Sequence, residues 1–129
     1  MVIDPSALLA VIFDEPEGPK FREAILAAET AYLSAPSAVE LTLVALGRKG
    51  AEGEVRAHAI LDLGEVQIVP FDANHVAIAK QAFRIYGKGR HPAGLNLGDC
   101  FAYALAKSLG EPLLFKGNDF RLTDVIPAL

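Results

Sequence analysis

Four acidic residues stand where the surrounding sequence does not call for an acid. Asp99 falls within Leu95-Asn96-Leu97-Gly98-Asp99-Cys100-Phe101-Ala102-Tyr103-Ala104-Leu105-Ala106. There Phe101, Ala102, Leu105 and Ala106 recur at helical spacing and make an apolar stripe. Asp4 ends the apolar run Met1-Val2-Ile3, Glu40 is embedded among Val39, Leu41, Leu43 and Val44, and Asp119 follows Leu113-Leu114-Phe115 after a short turn. A carboxylate costs free energy when buried without a partner. Each acid has a local explanation. Asp99 is a helix cap, favoured by the dipole and the free N–H groups. Asp4 closes a strand in an Asx turn, Asp119 is a turn residue, and Glu40 lies on a solvated helix face. The alternative is that they converge. Four converging carboxylates repel unless a cation joins them, and an all-oxygen set selects a hard ion, Mg²⁺ or Mn²⁺. The matching chemistry is phosphodiester hydrolysis, with the ion acidifying the attacking water and steadying the leaving oxygen. The chain shows no Ser-His-Asp set and no P-loop glycine pattern to compete with this.

The elements around these acids decide whether convergence is feasible. Met1–Ile3 reads as a buried strand stopped by Pro5, which lacks an N–H. A helix follows, with Ser6 as its cap and Leu8, Leu9, Val11, Ile12 and Phe13 on its buried side, broken at Glu15-Pro16-Glu17-Gly18-Pro19. Lys20–Glu29 reads as a second helix and Thr30–Ser34 as a second strand. Pro36 opens a third helix carrying Glu40, which Gly47-Arg48-Lys49-Gly50 ends; a fourth spans Glu52–Leu63. Val66–Val69 is a strand closed by Pro70, Asp72 caps a helix Ala73–Tyr86, and Gly87–Gly94 is a glycine-rich loop into the Asp99 helix. Pro112–Lys116 is the last strand, and Phe120–Leu129 is a tail. Strands alternating with helices imply an α/β fold: a short central parallel sheet with helices on both faces, in three layers. In such a sheet, sites form beyond the carboxyl ends of the strands. Asp4, Glu40 and Asp119 follow strands one, two and four, so topology puts them on one edge. Asp99 joins them if the glycine-rich loop carries the chain back over it.

With 129 residues the chain is long enough for one domain with a real core, 1–129, and too short for two. Apolar residues make up 52% of it, so it is globular, yet its longest apolar runs are far short of a membrane span. Its start lacks the basic region of a secretory signal. Cys100, the only cysteine, permits neither an intrachain disulfide nor a zinc finger. It reads as a small core residue, in keeping with a cytoplasmic setting. The net charge of −4 argues against broad non-specific nucleic-acid binding, though not against a local basic rim. Lys88, Arg90 and His91 before Asp99, and Lys116 and Arg121 around Asp119, are candidates for such a rim holding RNA phosphates; the alternative for each is a solvated loop. His58 and His75 read as surface or capping residues.

Val2-Ile3-Asp4-Pro5-Ser6, Ser37-Ala38-Val39-Glu40 and the block Leu95–Ala106 together resemble the PIN-domain ribonucleases. Among these they are most similar to the VapC toxins of bacterial type II toxin–antitoxin pairs. Leu114-Phe115-Lys116-Gly117-Asn118-Asp119-Phe120 with Thr123-Asp124 is similar to one VapC branch. The resemblance covers essentially the whole chain and implies a PIN-like fold and a Mg²⁺-dependent endoribonuclease, with Mn²⁺ as a substitute, held inactive by a VapB-type antitoxin. It implies Asp4, Glu40 and Asp99 as metal-binding acids and Ser6 as the hydroxyl supporting the first. Many relatives carry Thr-x-Asp-x-Asp-Phe after the last strand; here Phe115 and Gly117 replace the Thr and the first Asp. Asp119 fills the fourth place, or three acids suffice, with Asp124 a weaker substitute. The resemblance also implies a homodimer, and DNA contact only through the antitoxin. Two other functions compete. A receiver-like signalling module would use Lys116, but it needs adjacent acids after strand one and an acceptor Asp after strand three. A PIN fold without activity, serving as an interaction protein, is left open by Phe115.

Overall fold

The computed structural model describes all 129 residues. Its elements run β1 (Val2–Ile3), α1 (Pro5–Ile12), α2 (Gly18–Ala27), β2 (Tyr32–Ser34), α3 (Ala35–Leu63), β3 (Gln67–Val69), α4 (Ala73–Tyr86), α5 (Leu97–Leu109), β4 (Leu113–Leu114) and a 3₁₀ turn, Asp119–Leu122. The strands form one parallel sheet in the order β3-β2-β1-β4. From β1 the chain builds outward on one side to β3, then crosses back to place β4 on the other side. The crevice between β1 and β4 is therefore the switch point at which open α/β sheets place their sites. This order differs from the 2-1-3-4-5 of flavodoxin-like receivers and removes the signalling alternative at the level of fold.

Alternation along the short strands divides the core. Val2 and Leu113 enter a cluster with Ala79, Ala82, Ala102, Leu105 and Ala106 of α4 and α5. Ile3 and Leu114 enter a second one with Leu8, Ile12, Ile25, Leu41, Ala45 and Ile60 from the other three helices. All four strand residues are wholly or almost wholly buried. They are apolar on both faces, as a sheet covered on both sides requires. The product is the expected three layers.

Several expectations shift in detail. The third and fourth helices are two arms of α3 that meet at Gly50, within the expected break, where a φ of 59° is a left-handed value that glycine takes readily. In a straight helix, residues eight apart are separated by about 12 Å. Here a Cβ on Gly53 would run into the carbonyl of Ala45, so the chain doubles back at Gly50 and packs its two arms together. The cap of α1 is Asp4, not Ser6: the Asp4 carboxylate accepts from the Ser6 N–H at 2.9 Å. His75 is buried, not superficial, and its Nε2 lies 3.1 Å from the Ser108 hydroxyl, joining α4 to α5; His58 is exposed. The tail is not loose. The Leu113 N–H donates to Ile126 and the Ala128 N–H to Leu113, so residues 126–128 cover the β4 edge. Asp124 secures this tail through Tyr103 Oη at 2.7 Å and Lys107 Nζ at 2.9 Å.

The contact between the α3 arms sets two effects against each other. Gly53→Ala gains about 1 kcal/mol of helix propensity, but the new methyl must displace backbone. Overpacking costs about 1–3 kcal/mol. The expected net result is a lower melting temperature, measured by circular dichroism; a higher one would show that the arms are free to separate.

Candidate active site

Each acid is presented by a local structure that its sequence explains. Pro5 at the first position of α1 forces the chain to turn directly after β1, leaving Asp4 as N-cap, 5% exposed. Asn96 and Asp99 form a capping box at the start of α5. The Asp99 N–H donates to Asn96 Oδ1, and the Asn96 N–H donates to Asp99 Oδ2, both at 2.9 Å. The capping reading of Asp99 is therefore right, and it does not exhaust the residue. Capping engages Oδ2 of Asp4 and Oδ2 of Asp99, leaving Oδ1 of each with no protein donor. Glu40 is half-buried on the first arm of α3. Asp119 is exposed at the start of the 3₁₀ turn.

The charges of these acids act on one another. Burial, above all, raises Asp4 from the ordinary 3.8 to about 7, against the pull of the Ser6 hydroxyl and N–H; the charges of Asp99 and Glu40 raise it further. Burial and then Asp99 raise Glu40. Burial raises Asp99 despite the Asn96 N–H, and Asp119 adds to it. So the structure links Asp4, Glu40 and Asp99, and reaches Asp119 through Asp99. None of the four forms an ion pair, although Asp14, Glu15, Glu52, Glu111 and Asp124 all do. Asp124 is not among the charges acting on the cluster. Burial opposes its ionisation, but the bonds from Tyr103 and Lys107 hold it below the usual carboxylate range. It is an exposed bend residue that ties the tail to Tyr103 and Lys107, and its charge does not act on the cluster.

Gly98 is a functional position that the sequence reading passed over. A Cβ there would meet the Glu40 carboxylate, so a larger residue would push that side chain, rather than the helices, out of its present place. A glycine immediately before an acid at a helix start was the available signal. Cys100 is buried, and burial, followed by the Asp99 charge, pushes its thiol up to about 11. It is an unreactive core residue, as expected.

The basic candidates separate. Lys116 donates its backbone N–H to the Ser6 hydroxyl at 3.0 Å. Its ammonium is bound to Glu15 and lies 3.8 Å from Glu17, so it is engaged by acids and is not a free phosphate ligand here. Arg90 lies over the Phe83 ring at 5.9 Å and Arg121 over Phe115 at 5.8 Å. Lys88 is exposed and unpaired in the loop, whose ends are fastened by Lys88 N–H to Leu95 and Leu95 N–H to Tyr86. His91 is occupied, its Nδ1 accepting from the Ala93 N–H at 3.0 Å.

As they stand, no three of these side chains are placed to hold a metal ion. The donor chemistry nonetheless suits a hard divalent ion: carboxylate oxygens only, gathered around one buried acid, Asp4, with no ion-paired base.

Comparisons with known proteins agree with this architecture. The family model for the PIN domain matches residues 1–126. A ribonuclease VapC from Mycolicibacterium smegmatis is 47% identical over 125 residues, covering 97% of this chain and 97% of that protein. Among solved structures, VapC20 of Mycobacterium tuberculosis, described as a sarcin-ricin loop cleaving toxin, has a TM-score of 0.78 at 15% identity, over 97% of this chain and 95% of that one. A toxin–antitoxin complex from Klebsiella pneumoniae has a TM-score of 0.72 at 18% identity, over 99% of this chain and 97% of that one. At these identities the two structures show a shared fold.

The raised pKa of Asp4 has a consequence for stability. Below about pH 4 the carboxyl is neutral in both folded and unfolded chains, and its burial costs no charge. As pH rises from about 4 through 7, the unfolded chain releases the proton first, so stability is lost, by about 4 kcal/mol in full. In EDTA, Asp4→Asn should therefore melt higher than the parent at pH 7.5, with the difference closing near pH 4. Parallel melting curves across that range would contradict the burial of an ionising Asp4.

Proposed function

The chain belongs to the PIN-domain family, in its VapC branch, and on that premise we propose that it is the toxin ribonuclease of a toxin–antitoxin pair, cutting RNA phosphodiester bonds with Mg²⁺ or Mn²⁺. One observation carries the reading: Asp4 is buried at the switch point of the sheet with no ion pair, while Glu40 and Asp99 stand close enough for their charges to act on it. Capping alone leaves that cost standing; a bound cation would offset it.

A hard divalent ion bound here supplies Lewis acidity toward a phosphoryl oxygen and toward water. Asp4 and Asp99 would hold it, each kept from rotating away by a capping N–H. Asp119, exposed beyond β4, would join it through water. Glu40, beside Gly98, would orient the attacking water and take its proton as the oxygen bonds to phosphorus. The phosphorus–oxygen bond to the leaving strand then breaks, and the leaving oxygen takes a proton from solvent. Ser6 fixes the backbone beneath Asp4: its N–H holds the carboxylate and its hydroxyl accepts from Lys116. Lys88 and Arg90, at the loop leading into α5, are the proposed contacts to RNA phosphates.

The VapB-type antitoxin and a second copy of the chain are the partners this reading implies. Val39, Leu43 and Leu46 are 58%, 63% and 38% exposed along the first arm of α3, on the same arm as Glu40. Such a stripe suits an apolar partner segment whose docking closes access to the acids. No helix is long and apolar enough to cross a membrane.

The test is incubation of purified, antitoxin-free protein with total RNA. Discrete fragments should appear with Mg²⁺ or Mn²⁺, vanish in EDTA, and fall at least a hundredfold in yield for Asp99→Asn. Equal cleavage by Asp99→Asn, or in EDTA, would contradict the proposal.

A further inference from the structure

Three buried side-chain polar atoms in this protein have no hydrogen-bond partner, and two of them are the hydroxyls of Ser34 and Ser37. These serines are 1% and 0% exposed. An unpaired buried hydroxyl costs about 1–3 kcal/mol, so two of them within one turn of chain call for an explanation. Ser34 is the N-cap of α3, where a serine usually accepts from an N–H of the first turn, yet its side chain makes no such bond.

Their placement supplies the explanation. β2 runs parallel to β1 with Tyr32 opposite Val2, so two residues further along Ser34 stands opposite Asp4. Matched positions on parallel neighbours share a face of the sheet, and Val2 shows that this is the face packed against α5, from which Asp99 comes. Ser37 precedes Glu40 by three residues on α3 and so shares its helix face; against that face Gly98 of α5 closes on the Glu40 carboxylate. Register therefore puts Ser34 at the position matched to Asp4, and helix spacing puts Ser37 on the face of α3 that carries Glu40.

We propose that Ser34 and Ser37 are positioning residues of this site. The Ser34 hydroxyl donates to the ionised Asp4 carboxylate and the Ser37 hydroxyl to that of Glu40, directly or through one ordered water. A hydroxyl turns about its Cα–Cβ bond without moving the backbone, so each serine can reach its carboxylate while the fold stays as it is. Neither serine touches substrate. Donors behind ligating carboxylates fix their orientation, and losing one typically costs 10–100-fold in metal affinity. The inference rests on the cation-dependent reading above.

Mn²⁺ binding, followed by electron paramagnetic resonance on the full chain, separates the two ideas when paired with melting in EDTA. Ser34→Ala and Ser37→Ala should each bind Mn²⁺ about tenfold more weakly. In EDTA both should still melt cooperatively near the parent temperature, because serine-to-alanine leaves the packing intact, so a loss of Mn²⁺ affinity is not a loss of fold. Unchanged Mn²⁺ affinity in both variants, beside a parent that binds, would overturn the positioning role and leave the cation reading standing. A parent that binds no Mn²⁺ would overturn the cation reading and this inference with it.

Discussion

The structure is arranged around an electrostatic cost. Asp4 is 5% exposed, and other carboxylates stand close enough to raise its proton affinity. In a low-dielectric setting such charges repel strongly, and nothing basic in the fold offsets them. What the fold provides instead is rigidity. Pro5 and the Ser6 N–H fix Asp4, the Asn96 capping box fixes Asp99, and Gly98 admits Glu40 against α5. The positive ends of α1 and α5 face the cluster and recover part of the cost. The sheet order then decides the rest: by crossing back to put β4 beside β1, the chain brings Asp119 to the edge where Asp4 already stands.

This division between rigid acids and an absent counter-charge separates the site from the other charged groups. Arg56 ties the end of α1 to the second arm of α3 through the Ile12 carbonyl at 2.8 Å and Asp14 at 2.7 Å. Lys116, Lys107 and the terminal amine are matched to acids in the same way. Exposed pairs of this kind add little stability individually. Glu23, Glu29, Glu54, Asp62 and Glu65 also lack an ion pair, but water reaches them; what sets the site apart is that Asp4 lacks one while buried.

Much of this was legible in the sequence because it depends on topology. Apolar runs punctuated by proline and glycine fixed the order of strands and helices, and a parallel sheet places residues after its strands on one edge without any tertiary detail. Asp4, Glu40, Asp99 and Asp119 were found this way. What the sequence concealed depends on packing between distant segments. The break at Gly47–Gly50 was legible, but the packing of the two arms, with Gly53 against Ala45, was not. The burial of His75 depends on Ser108 of another helix, and the tail becomes a strand neighbour only when β4 is in place. Lys116 looked like a phosphate ligand because it stands beside Asp119, while its actual partners, Glu15 and Glu17, lie about a hundred positions away. Ser34 and Ser37 are ordinary in sequence and become informative only as buried hydroxyls without partners.

The central claim is that the fold carries an uncompensated carboxylate cluster that a divalent cation relieves. Thermal melting of the full chain at pH 7.5, titrated with Mg²⁺ or Mn²⁺ from an EDTA baseline, tests it most directly. Binding to the folded state alone stabilises by about 2.7 kcal/mol at a hundred times the dissociation constant. The account therefore predicts a melting temperature that climbs with either ion in the parent and stays flat when Asp4 and Asp99 are both replaced by asparagine. A parent chain indifferent to millimolar Mg²⁺ and Mn²⁺, or a double variant that responds equally, would contradict it.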